Sequence, residues 1–151
     1  MKHFKHKKME KTKTTLRGLA TISFFAENLK DATNWYTELL GIEPYYTFPD
    51  KENPAYVEFR IGDFEHELGI IDKKYQPKLA SGKIGGAVAF WNVDDIQQVL
   101  EKLMKMKAKE YEKITEREDG FITASVIDPS GNILGIMHNP HYLEILKSLN
   151  K

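Results

Sequence analysis

Hydrophobic and polar positions along the chain predict short strands interrupted by amphipathic helices. Residues 20–25 (ATISFF) are β-branched and aromatic, a composition that favours a strand covered on both faces. Asn28 is a good N-cap, and the apolar residues after it recur at offsets of three and four. Gly41 can take the left-handed conformation that ends a helix. Residues 20–41 therefore predict a strand followed by a helix.

Shorter strands follow this first unit. Residues 43–48 (EPYYTF) and 55–61 (AYVEFRI) predict two of them, and a turn at residues 62–63 leads to a partner strand over 64–71 (FEHELGII). Residues 73–83 are polar and contain proline and glycine, so they predict a linker. The middle strand alternates, with one face formed by Val57, Phe59 and Ile61 and the other by Tyr56, Glu58 and Arg60.

The same plan then repeats in the second half. Residues 84–93 (IGGAVAFWNV) predict a strand, and Asp94 or Asp95 caps a second amphipathic helix. From Pro140 onwards the apolar positions predict a short helix that docks on the body. Between them lie three further predicted strands, the first a polar edge strand, at residues 109–115, 121–127 and 132–137.

The two halves are related by a nearly constant offset. Leu29 and Ile96 begin the two helical stripes 67 positions apart, and ELGII is matched by ILGIM 66 positions later. An internal repeat decides the fold more strongly than any single motif. We predict an α+β fold with two tandem βαβββ modules in one domain. The predicted parts are a basic tail over residues 1–15, modules over 16–72 and 84–139 joined by the linker 73–83, and a C-terminal helix over 140–151.

Composition narrows the class of protein. The 151 residues are 41% apolar and 29% charged, which suits a single globular domain. The absence of cysteine excludes disulfides and thiolate chemistry and favours a cytoplasmic protein. No apolar run approaches the ~20 residues of a membrane span. Residues 1–15 carry six lysines, but the rest of the chain is negatively charged, so we expect neither a membrane nor a nucleic-acid partner.

Two groups of residues carry a resemblance to a known family. They are Asn28-Leu29 followed by Trp35-Tyr36 and Leu40-Gly41, and the turn Asp128-Pro129-Ser130-Gly131-Asn132. With the repeat, they resemble the vicinal oxygen chelate superfamily, which includes glyoxalase I, bleomycin-resistance proteins and extradiol dioxygenases. The resemblance covers about residues 16–139. It implies that each module curls its sheet into a half-barrel and that the concave side holds the ligand. The paired half-barrels come from one chain or from the two chains of a homodimer.

The resemblance also locates the positions of a metal site. In metal-dependent members four side chains, usually His and Glu, hold a divalent ion that polarises substrate oxygens. A site of this kind needs three or more protein ligands, and valine and glycine offer none. We therefore expect no metal there, as in the metal-free, bleomycin-resistance-like members. The four positions are Thr21, Val88, Gly135 and either Glu67 or Gly69.

Other catalytic groups are scarce. His66 falls on the strand face opposite Glu67, and Pro140 keeps His138 and His141 from sharing a helical turn. No serine stands in a nucleophile elbow, and no glycine-rich phosphate loop is present. Glu67 is the only candidate for a catalytic base.

Strand alternation, counted from the metal positions, predicts the concave face. We predict that it binds a small organic molecule in an apolar cavity, where Glu67 meets a cationic group and Phe25 and Phe90 stack on a flat one. Glycines 69 and 135 are expected to leave room for it, while Trp91 packs beneath the second helix. The predicted ligand-binding residues are Thr21, Ser23, Phe25, Glu67, Gly69, Phe90, Asn92, Gly135 and Met137, with Val88 and Ile133 on the same face.

Three alternatives remain at this point. The same residues could form plain core. The protein could be a lyase or dioxygenase-type enzyme that uses a non-standard metal site or Glu67 as general base. It could also be an interaction module that has lost ligand binding.

Overall fold

The computed structural model describes residues 19–76 and 88–149. The predicted tail, residues 77–83 of the predicted linker and residues 84–87 of the predicted strand lie outside the described residues. No helix within the described ranges is long and apolar enough to cross a membrane.

The first module begins with the strand and helix that the hydrophobic pattern predicts. The side chain of Asn28 accepts a hydrogen bond from the backbone N–H of Asp31, which satisfies one of the free donors at the helix start. Gly41 ends the helix with a φ of 69°, as expected for a left-handed cap. The elements are β1 (Thr21–Ala26), α1 (Leu29–Leu40), β2 (Tyr46–Phe48), β3 (Tyr56–Ile61) and β4 (His66–Asp72).

The second module has the same order of elements. Asp95, and not Asp94, is the N-cap, since its side chain accepts a hydrogen bond from the backbone N–H of Gln98 at 3.0 Å. The elements are β5 (Ala89–Asn92), α2 (Ile96–Lys105), β6 (Lys109–Glu116), β7 (Ile122–Ile127) and β8 (Ile133–His138), followed by the C-terminal helix α3 (Pro140–Ser148).

Each module forms one four-stranded mixed sheet. The strand orders are β1-β4-β3-β2 and β5-β8-β7-β6. In both sheets the first strand pairs parallel to the last, and the remaining pairs are antiparallel. The two sheets have the same topology, so the predicted α+β fold with two βαβββ modules is confirmed, as is the edge position of β6.

Most strand boundaries differ from the predicted ones by one residue, and two strand starts of the first module differ by two or three. The strand expected from residue 43 begins only at Tyr46, because Pro44 lacks the N–H that a ladder needs. The strand expected from residue 64 begins at His66, since the β3–β4 turn occupies residues 62–65. Gly62 and Glu65 take φ angles of 73° and 52° in that turn, which makes it longer than the predicted two-residue connection.

Each helix covers one face of its own sheet. Residues of α1 pack with β1, β3 and β4 in one core, and residues of α2 pack with β7 and β8 in a second. Trp35, Leu39 and Trp91 are half-buried against both cores, so the modules meet through their helix-bearing sides. The expected packing of Trp91 beneath the second helix is confirmed.

The ends of the two helices also exchange hydrogen bonds. The indole Nε1 of Trp35 donates to the backbone oxygen of Met106 at 2.8 Å, and Nζ of Lys102 donates to that of Leu39 at 3.2 Å. Carbonyls in the last turn of a helix lack intrahelical partners, so each module satisfies an oxygen at the end of the other module's helix.

A buried hydrogen bond joins the two motifs that carry the family resemblance. The Tyr36 hydroxyl donates to Oδ2 of Asp128 at 2.7 Å, and both residues are at most 4% exposed. Oδ1 of Asp128 accepts the backbone N–H groups of Ser130 and Asn132, while Nδ2 of Asn132 donates to the backbone oxygen of Phe25. Burial, followed by the charge of Asp128 and the hydrogen bond to it, raises the pKa of Tyr36 well above its usual range.

The C-terminal helix docks on the first module, as predicted. The Tyr142 hydroxyl donates to Oδ2 of Asp63 at 2.7 Å, and its ring meets Phe64 edge-on with centroids 5.7 Å apart. Partial burial and the interaction with Asp63 raise the pKa of Tyr142 to about 12. Helix α3 thus crosses from the end of β8 to the β3–β4 turn.

Replacing Tyr36 with phenylalanine tests the buried tie between the modules. Tyr36→Phe is expected to lower the free energy of unfolding by about 1–3 kcal/mol, because one oxygen of the buried Asp128 carboxylate loses its donor. Urea unfolding followed by circular dichroism measures the loss. Tyr75→Phe is the matched control, since Tyr75 is 56% exposed, and should change stability by less than about 0.5 kcal/mol. Equal losses in the two variants would contradict the assignment.

Candidate functional site

The helices leave one face of each sheet uncovered, which we call the open face. In the first sheet, Ile22, Val57 and Leu68 pack on the α1 side, so the alternate positions of each strand point away from it. Tyr46 is in register with Glu58, which places it on the open face as well. The open face of the first sheet carries Thr21, Ser23, Phe25, Tyr46, Phe48, Tyr56, Glu58, Arg60, Glu67 and Gly69.

The open face of the second sheet is more apolar. Trp91, Leu134 and Ile136 pack on the α2 side. Alternation then puts Phe90, Asn92, Ile133, Gly135 and Met137 on the opposite side. All nine predicted ligand-binding residues therefore lie on an open face, five on the first sheet and four on the second. Their part in binding a ligand stays a prediction.

The four positions that the resemblance gives to metal ligands hold few donors. Thr21 and Glu67 are direct neighbours across β1 and β4, and the threonine hydroxyl donates to Oε2 of Glu67 at 2.8 Å. The other two positions are Val88, which directly precedes β5, and Gly135 in β8, and neither has a side-chain atom that could bind a metal. Within residues 19–76 and 88–149 no three His, Asp or Glu side chains come together as a metal-binding group. One carboxylate and one hydroxyl do not fit a site that needs three or more strong ligands.

The two glycines of the predicted site are covered by aromatic rings. A Cβ on Gly69 would stand 2.6 Å from Cε2 of Tyr56, and one on Gly135 would stand 2.6 Å from Cδ1 of Phe90. The expectation that these glycines leave room for a bound molecule is therefore wrong. Glycine instead lets a ring from the neighbouring strand lie against the backbone, a known way of compensating a glycine in a sheet.

Tyr56 and Glu58 are the main residues that sequence reasoning missed. The Tyr56 hydroxyl donates to Oε2 of Glu58 at 2.6 Å. Burial, the hydrogen bond to Glu58 and the charges of Glu58 and Glu67 raise the pKa of Tyr56 well above its usual range. Alternation in the sequence already separates these residues from the core, but only the pairing of β3 with β4 places them on the same face as Glu67, whose direct partner across the strands is Arg60.

Aromatic and basic side chains continue this surface toward β2. The guanidinium carbon of Arg60 lies 3.7 Å from the centroid of the Tyr45 ring, a cation–π contact. Tyr46 and Phe48 are 48% and 53% exposed, and the Tyr46 ring centroid is 6.4 Å from that of Tyr56. The open face of the first sheet thus combines two carboxylates and one guanidinium with exposed aromatic rings.

A separate, partly open space lies between the modules. It has a volume of about 440 Å³ and is walled by apolar residues of both helix-bearing sides. Of the predicted ligand-binding residues, Phe90, Asn92 and Met137 reach its wall, whereas those of the first sheet do not. His66 also lines it, which confirms that His66 and Glu67 lie on opposite faces of β4. We call this space the inter-module cavity.

The ionisation of Tyr56 tests the geometry of the open face. Subtracting the ultraviolet titration of Tyr56→Phe from that of the unchanged protein isolates the Tyr56 phenol. Its pKa should lie above the usual 10.0, and Glu58→Gln should lower it by removing the anionic acceptor. It should remain above 10.0, because burial is the largest cause. Glu52→Gln, in the exposed β2–β3 loop, is the control, and an equal pKa in the Glu58 and Glu52 variants would refute the contact.

Comparisons with known proteins agree with this architecture. No curated protein matches the sequence at a significant level. Among solved structures, a glyoxalase-related enzyme from Fulvimarina pelagi shares 19% identity and a TM-score of 0.62 over 83% of this chain and 90% of that one. Lactoylglutathione lyase from Agrobacterium tumefaciens shares 16% identity and the same TM-score over 83% and 96% of the two chains.

A third solved structure has a name close to that of the family. It is the glyoxalase/bleomycin resistance protein from Catenulispora acidiphila, with 21% identity and a TM-score of 0.56 over 82% of this chain and 100% of that one. At such identities these likenesses establish the fold. The family model for the glyoxalase/bleomycin resistance protein/dioxygenase superfamily matches residues 18–136, well over half of the sequence. The chain belongs to the glyoxalase/bleomycin resistance protein/dioxygenase superfamily.

Proposed function

We propose that this chain is a small-molecule-binding member of the superfamily that works without the usual metal. The observation that carries the proposal is the hydrogen bond between Thr21 and Glu67. The side chains at two of the four expected metal-ligand positions hydrogen-bond to each other, and those at the other two have no atom that could bind a metal. Such a set binds an organic group by hydrogen bonds and charge more readily than it coordinates a transition metal.

The charge and shape of the open face favour a flat molecule with a cationic group. Oε1 of Glu67 accepts no hydrogen bond from the described residues and is available to a ligand N–H. Glu58 adds a second negative charge on the same face, and the exposed rings of Tyr46 and Phe48 offer stacking surfaces. Carboxylates beside aromatic rings are a common arrangement for organic cations.

A second copy of the chain would give this face an opposite wall. Within one chain the modules meet through their helix-bearing sides, and Phe48 and Phe90 on the two open faces are 53% and 41% exposed. Exposed apolar rings on a sheet face are typical of interaction surfaces. We therefore propose a homodimer in which the open face of the first sheet of one protomer faces the second sheet of its partner.

The enzymatic alternative needs a displaced metal or Glu67 as general base. A base has to lie within hydrogen-bond reach of the proton that it removes. No contact among the described residues favours this role over binding, and the variants below test Glu67 as a binding residue.

Ligand and metal binding can be separated by one set of measurements. Elemental analysis of dialysed protein should show no stoichiometric Zn, Ni, Fe or Mn, whereas 2-naphthylmethylamine should raise the melting temperature because it binds the native state. Its neutral analogue 2-naphthylmethanol should raise it less. Glu67→Gln should weaken amine binding roughly tenfold, the size of a hydrogen bond to a charged group.

Glu52→Gln, which changes an exposed loop carboxylate, serves as control and should leave amine binding unaltered. A tightly held stoichiometric metal would overturn the metal-free proposal. Equal amine binding by the two variants would remove Glu67 from the ligand site.

The homodimer is tested by light scattering after size-exclusion chromatography. The unchanged protein should elute with twice the mass of one chain. Phe48→Lys should shift the protein toward the monomer, because it places a charge on the open face. Met104→Lys should not, since Met104 is an exposed residue of α2, and α2 lies on the opposite side of its sheet from the open face. A monomeric unchanged protein at micromolar concentration would contradict the proposal.

A further inference from the structure

We propose that the inter-module cavity is a second ligand site, selective for a neutral, mainly apolar molecule that carries one hydrogen-bond acceptor such as a ketone. The site shares Phe90, Asn92 and Met137 with the open face of the second sheet but no residue with that of the first. It does not depend on the function proposed for the open face of the first sheet.

The size and lining of the cavity support a ligand. Protein interiors are close-packed and contain few voids larger than a water molecule, whose share of the liquid is ~30 Å³. A space of about 440 Å³ falls within the range of ~300–1,000 Å³ typical of small-molecule sites. Its walls are mostly aliphatic and aromatic, with Ile22 and Leu68 from the first module and Val99 and Ile136 from the second.

The charged groups at the cavity are already engaged. Nζ of Lys102 donates to the backbone oxygen of Leu39, and the Asp63 carboxylate accepts the Tyr142 hydroxyl. A charged ligand would also have to leave water for a mainly apolar space, which is costly. The cavity therefore favours neutral molecules, in contrast to the open face of the first sheet.

The side-chain amide of Asn92 supplies a free hydrogen-bond donor at the cavity. Oδ1 of Asn92 accepts the backbone N–H of Asn139 at 3.0 Å, and this bond fixes the orientation of the amide. Its Nδ2 donates to no described residue. This N–H group favours a ligand that carries a carbonyl or ether oxygen.

Helix α3 forms part of this wall. Tyr142 and the capping residue Asn139 both line the cavity, and the helix reaches across to the β3–β4 turn. The cavity is thus bounded by both modules and by the C-terminal helix.

The site can be monitored by tryptophan fluorescence. The sequence has two tryptophans, and of these Trp91 lines the cavity while Trp35 does not. Prodan is a suitable probe, because it is a neutral naphthalene ketone whose emission shifts to the blue in apolar surroundings. Titration of the full-length protein should give saturable blue-shifted emission together with quenching of Trp91, and Trp91→Phe should lose the quenching.

Filling the cavity tests where the probe binds. Val99→Phe should weaken prodan binding at least about tenfold, because the added ring takes up space that the probe needs. Gln98→Phe is the matched control, because it adds the same ring to the exposed side of the same helix and should change binding less than about twofold. Leu40→Phe fills the cavity from the first module and is used if Val99→Phe unfolds, as judged by circular dichroism.

Two further comparisons test selectivity and independence from the open face. Between two ligands of nearly equal size, 2-acetylnaphthalene should bind about three- to tenfold more tightly than 2-isopropenylnaphthalene, the gain from one neutral hydrogen bond. Glu67→Gln should leave prodan binding unchanged. The proposal is overturned by absence of saturable prodan binding, by equal binding to folded filling variants, or by loss of binding in Glu67→Gln. The first two results leave the open-face function standing.

Discussion

The hydrogen bond between Tyr36 and Asp128 is the constraint on which the arrangement of the two modules depends. A carboxylate that is 4% exposed is costly unless its oxygens are satisfied, and here three donors satisfy them. Two of these donors are N–H groups of its own turn, so the turn takes the shape that the carboxylate requires. The third comes from α1 of the other module. Apolar contacts alone would hold the modules together without fixing their relative direction.

This constraint decides which surfaces are covered and which are open. It draws the end of the second sheet against α1, and Trp35, Leu39 and Trp91 fill the junction on the helix-bearing sides. Their packing is incomplete, because a cavity of about 440 Å³ remains between the two cores. The other face of each sheet then lacks a covering layer within the chain. One arrangement therefore produces both a mainly apolar space between the modules and an exposed face on each sheet.

The sequence predicts the fold well because its signals are local. Asn28, Gly41 and the helical stripes act within a few residues, and the 67-residue offset shows that the same plan is used twice. The site is only partly predictable. Alternation assigns residues to faces correctly, but it does not show that the rings of Tyr56 and Phe90 lie over glycines on neighbouring strands. Those contacts and the inter-module cavity depend on side-chain conformation and on how the modules meet. The strand and helix periods of 2 and 3.6 residues contain no information about either.

The electrostatics of the open face follow from what stands at the metal positions. In a metal-dependent relative the charge of Glu67 would be offset by a divalent ion. Here its described hydrogen-bond partner is the neutral hydroxyl of Thr21, and Glu58 adds a second negative charge close enough to help raise the pKa of Tyr56. Arg60 also lies on this face, with its guanidinium over the Tyr45 ring, so the two carboxylates outnumber the one cation and favour a further positive charge nearby. An organic cation at this place would supply the charge that a metal supplies in metal-dependent members, which is the physical basis for proposing a cationic ligand.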